Sequence, residues 1–94
     1  MKNIYLVDQN SGPFKTIQEA IDTAKPFSQI KISPGIYIEN LIITKNGLTI
    51  MSKNEINDVT IISVKRPTIS IDLKKDETCS LIGLKISHSG NKND

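Results

Sequence analysis

From Gln29 onward the apolar residues of this 94-residue chain come in short alternating runs, and turn formers cut each run before a helix could develop. Residues 33 to 52, SPGIYIENLIITKNGLTIMS, hold two turn signals, Pro34-Gly35 and Asn46-Gly47, and three apolar runs. The side chains suit that texture. Seventeen residues are Ile, and only Ala20 and Ala24 are Ala, so the apolar content is β-branched and prefers a pleated surface to a helix.

One helix precedes these runs. Ile4 to Val7 reads as a short strand, ended by the turn formers DQNSGP. Thr16 then offers an N-cap, and Glu19 stands three positions on, as a capping box requires. Ile17, Ala20, Ile21 and Ala24 form one apolar stripe, and Lys25-Pro26 stops the helix. So short a helix needs an apolar surface to lie on. The strand candidates that follow are Ile30–Ile32, Ile36–Ile38, Leu41–Ile43, Leu48–Ile50, Val59–Ile61, Ile69–Leu73 and a final run through Ile82, Leu84 and Ile86 opened by Cys79. A change of parity at Glu39-Asn40 predicts a bend, and Lys65-Arg66-Pro67 a turn.

An internal repeat suggests how the strands assemble. GLTIMS at 47 to 52 recurs as GLKISH at 83 to 88. In the same order Ile30-Lys31-Ile32 aligns with Val59-Thr60-Ile61, and Leu41–Ile43 with Ile69–Leu73. Three strands that come round twice predict a β-solenoid with ladders of Ile on Ile and Leu on Leu inside. A hairpin at Asn46-Gly47 is the rival. A two-residue turn there would set Lys45 on the face of Leu48, so the pattern favours a corner. A βαβ unit lacks helices after Pro26.

The stretches FKTIQEAIDTA, IKISPGIYIENLIITKNGLTIMS and VTII resemble the opening of right-handed parallel β-helix proteins of the pectin-lyase-like superfamily, which includes pectin methylesterases, periplasmic sugar-binding domains and β-helix adaptors. The shared pattern is a capping helix, then Ile30, Ile32, Pro34, Gly35, Tyr37, Glu39 and the apolar run from Leu41. The resemblance implies an all-β right-handed parallel β-helix of about two coils with one short N-terminal capping α-helix, as a single domain over residues 1–87 with a disordered polar tail at 88–94. It also implies no enzyme activity, because the superfamily's catalytic groups lie on later coils; none transfers to this chain.

The residues themselves carry little chemistry. Asp72 has Asp76 and Glu77 near it only in a polar loop, without the carboxylate pair of a glycosidase or the oxygen cluster of a calcium site. His88 lacks a partner nucleophile, and Cys79 is the only cysteine, which excludes internal disulfides and thiolate metal sites. No cofactor or metal is expected. Lys31, Thr49 and Lys85 are read as outward-facing, where β-helices hold extended ligands, but Tyr5 and Tyr37 are the only aromatic platforms considered for sugar. A net charge of +2 with interspersed signs argues against nucleic acid, and no run is long enough for a membrane span. Without a signal-like segment, a cytoplasmic location is favoured.

What remains is an end effect. The helix covers one end of the predicted stack, while the last coil exposes strand edges and the apolar interior around Ile61, Ile71, Leu84 and Ile86. The expected function is therefore a non-catalytic structural or protein-interaction module, bound to a second copy or another protein through that edge. Carbohydrate is an alternative ligand, in an N-terminal fragment of a carbohydrate-active or carbohydrate-binding β-helix protein.

Overall fold

A computed structural model of the chain describes residues 3–54, 56, 58–63 and 68–88. The elements are β1 (Ile4–Val7), α1 (Ile17–Thr23), β2 (Gln29–Ile32), β3 (Gly35–Ile38), β4 (Leu41–Ile43), β5 (Leu48–Ser52), β6 (Val59–Ser63), β7 (Ile69–Ile71), β8 (Cys79–Ile82) and β9 (Leu84–His88). They form three sheets, ordered β1-β2-β5-β8, β3-β6-β9 and β4-β7, and every strand pairing is parallel. Parallel neighbours need a crossover. Here other strands supply it: β3 and β4 carry the chain from β2 to β5.

The register corrects the predicted repeat. Leu41 does pair with Ile69. However, Ile30 pairs with Ile50, twenty positions on, and Leu48 with Cys79, thirty-one positions on. Val59 lies between Gly35 and Leu84, so it is no equivalent of Ile30, nor is Leu84 an equivalent of Leu48. The resemblance of GLTIMS to GLKISH has a local cause. Gly47 (φ 76°) and Gly83 (φ 69°) are both left-handed corners that open a strand, but the strands belong to different sheets. The corner at Gly83 also splits the expected last strand in two: Ile82 pairs with Met51 and Ile86 with Ile61. His88 closes β9 opposite Ser63 instead of starting the tail. The turn at 65–67 and the tail at 89–94 lie outside the described residues.

Asn46-Gly47 is a corner, with β4 and β5 in different sheets. Gly47 donates to the Thr78 carbonyl at 2.6 Å, and Phe27 donates to the Asn46 carbonyl at 3.0 Å. A Cβ on Gly47 would stand 2.2 Å from a Phe27 ring carbon, so only glycine fits under that ring. Inward side chains then pile in columns: Ile30 with Ile50, Tyr37 with Ile61, Leu41 with Ile69. Val7, Ile32, Ile43, Leu48 and Val59 complete a core buried from water.

The helix closes one end of this stack. Ile17, Ala20 and Ile21 are its buried stripe. Thr16 and Glu19 make the expected capping box, and a second acceptor comes from the first bend. The Glu39 carboxylate takes the N–H groups of Ile17 (2.8 Å) and Gln18 (3.0 Å). At the other terminus Lys45 Nζ donates to the carbonyls of Ile21, Asp22 and Ala24 at 2.6 to 2.9 Å. A carboxylate at the amino end and an ammonium at the carboxyl end both oppose the helix dipole, so the lid is held by charge as well as by apolar contact.

Candidate docking edge

The carboxylates singled out above do not converge. Asp72 is exposed just beyond β7, and its N–H donates to the Ile43 carbonyl at 2.9 Å. Glu77 accepts from the Lys74 N–H at 2.9 Å and donates its own N–H to the Lys74 carbonyl, so it builds the turn before β8; Asp76 is exposed in that turn. Among the described residues no group of three or more His, Cys, Asp or Glu side chains stands close enough to hold a metal ion. Lys31 and Thr49 lie in different columns of the first sheet, and Lys85 lies in the second. They make no common row.

The two tyrosines named above are taken up by packing. Tyr37 is buried and donates to the Ser33 carbonyl at 2.8 Å; burial pushes its phenol above the usual range, with the charges of Asp8 and Glu39 adding to the effect. Tyr5 packs against Phe14 at 6.0 Å between ring centroids. The exposed ring is Phe27, at the Gly47 corner, a position that its sequence context does not mark.

The strand edges offer more. β7, β8 and β9 are each the last strand of their sheet, and they follow one another along the chain. Alternate backbone N–H and C=O groups of such a strand point away from its one neighbour. Inward side chains rise with them. Ile71 pairs with Ile43, and Ile86 with Ile61; the lower member of each pair is 0% exposed, the upper 48%. Leu81 and Leu84, over Ile50 and Val59, are half-buried. Cys79, over Leu48, is half-buried too, and burial pushes its thiol pKa up.

Of the four predicted edge residues, Ile71, Leu84 and Ile86 stand on terminal strands. Ile61 does not: β9 covers it, and it belongs to the core. Ile69 and Leu81 are the edge residues that the mistaken repeat hid. β7 (Ile-Ser-Ile) and β8 (Cys-Ser-Leu-Ile) carry no charge and no proline, the usual devices that keep an edge from pairing; β9 has Lys85. Among the described residues no helix is long and apolar enough to cross a membrane. Comparison with family models, curated proteins and solved structures finds no match to this chain.

Proposed function

We propose that this chain is a non-catalytic interaction module: a right-handed parallel β-helix, lidded by α1, that binds protein by strand addition along β7, β8 and β9. Parallel strands joined by crossovers are right-handed in nearly all proteins, and the three-sheet stacking suits a solenoid of the pectin-lyase-like kind. The observation that carries the function is the exposure of Ile71 and Ile86 directly above the buried Ile43 and Ile61. An interior column that ends in water beside unblunted strand edges is a template for another chain.

The test is native-state hydrogen exchange at high dilution. The outward amides of β7, β8 and β9 are expected to exchange far faster than those of β2 and β6. If they are as protected as β2, the edge is already closed within the chain and the docking reading fails. The other reading, the first coils of a carbohydrate-active or carbohydrate-binding β-helix protein, draws on the same edge, since a further coil could sit on Ile71 and Ile86. Additional coils in the full reading frame would favour it.

A further inference from the structure

Resting on that docking reading, we infer that the partner at this edge is a second copy of the chain, related by a two-fold axis so that terminal strands meet antiparallel in a closed dimer. The first argument concerns the opposite end. A copy could stack head to tail only if the edges of β1, β3 and β4 were free. The Gln18 side-chain amide occupies β4, accepting from the Ile42 N–H at 2.9 Å and donating to the Ile42 carbonyl at 3.1 Å. Gln9 donates to the Ile36 carbonyl of β3 at 2.7 Å. Phe14 bridges Val7 of β1 and accepts from the Asp8 N–H at 2.9 Å. Each edge at that end thus carries a contact of this kind, whereas on the terminal strands the described residues place one only on β9, from Thr68 Oγ1 to the Ser87 carbonyl at 3.2 Å. Like-to-like contact through the terminal edge is isologous and closes at two.

The edge has the size and charge for it. The last layer, Thr68 to His88, is 21 residues long, within the about 20–30 residues per side of a standard interface. Its turn before β8 carries Lys74, Lys75, Asp76 and Glu77, two of each sign. A two-fold axis can set the lysines of one copy near the acids of the other, as self-complementarity demands. Between the rims, Ile71, Leu81, Leu84 and Ile86 of both copies would form one shared core.

The experiment combines light scattering on the full chain with a short bis-maleimide cross-linker in a Cys79→Ser background. The wild type is expected at twice the mass of one chain, and Ile86→Lys is expected to weaken association by about tenfold or more with its circular dichroism unchanged. Ser87→Cys, on β9, should cross-link to pairs and no further; Lys15→Cys, beside the lid, should not cross-link, and a mixture of the two should give no mixed product. Mixed products or long polymers would show head-to-tail stacking and overturn the inference. So would a monomer at the highest soluble concentration. If that monomer's edge amides exchange freely, the docking edge survives without the second copy; if they are protected, both readings fall.

Discussion

Ile43 and Ile71 are the same residue in the same column, paired across β4 and β7, yet one is wholly buried and the other half in water. The difference lies in what sits on each. Above Ile43 the chain has laid α1, tied down by Glu39 and Lys45; outside Ile71 no described element lies. Burial in a stacked fold is thus a property of position along the stack. The two ends show what a cap must do: cover the apolar column, and give the strand edge a polar partner. Gln18 does the second task on Ile42, and nothing described does it for β7.

The sharpest way to break this comparison is to truncate both members of the column. Ile43→Ala should cost about 2–5 kcal/mol, as for buried aliphatics generally. Ile71→Ala removes a side chain already half hydrated and should cost about 1 kcal/mol in the dilute chain. Urea denaturation of both variants at low concentration measures the gap. Equal losses would mean that the two ends are equally closed, and the contrast would vanish.

The lid's clamp gives the next effect. Glu39→Ala leaves the first two helical N–H groups without their acceptor, and a lost cap of this kind costs about 1–2 kcal/mol. Lys45→Met keeps the stem but strips three carbonyls of their donor, for a loss of about 1 kcal/mol. If the clamp serves the capped end alone, both variants should speed exchange in α1 and β4 and leave β9 unchanged. Uniform acceleration across the molecule would show instead that the stack unfolds as one unit.

Those clamp residues mark the limit of what could be read beforehand. The capping box at Thr16 and Glu19, the stop at Pro26 and the corner at Asn46-Gly47 are local signals, set by a few consecutive residues, and all are present in the structure. Glu39 and Lys45 reach backbone groups more than twenty positions away, and no local pattern announces such a contact. The register was hidden for another reason. Loops of different length join strands of the same alternating type, so similar segments such as GLTIMS and GLKISH can sit on different sheets. That error placed Ile61 at the edge. The parity change around Gly83, with Leu81 and Leu84 both inward, was the available signal for the missed corner.

The smallest effects come from two weak acids at opposite ends. Tyr37, under the lid, has its pKa raised first by burial, so the folded state holds the phenol proton more tightly than the unfolded chain does. Its contribution is present below pH 10 and is lost as pH rises through the folded value. Tyr37→Phe should therefore flatten the alkaline fall in stability, and should cost about 1 kcal/mol at neutral pH for the lost bond to Ser33. Cys79, on the open edge, is also raised by burial, so less thiolate is present near neutrality. Alkylation by iodoacetamide should run a few-fold slower than for an unstructured thiol, and slower again at concentrations where the edge is docked. If the rate does not depend on protein concentration, nothing settles on β8 under those conditions, and Cys79 is half-buried solely by its own column.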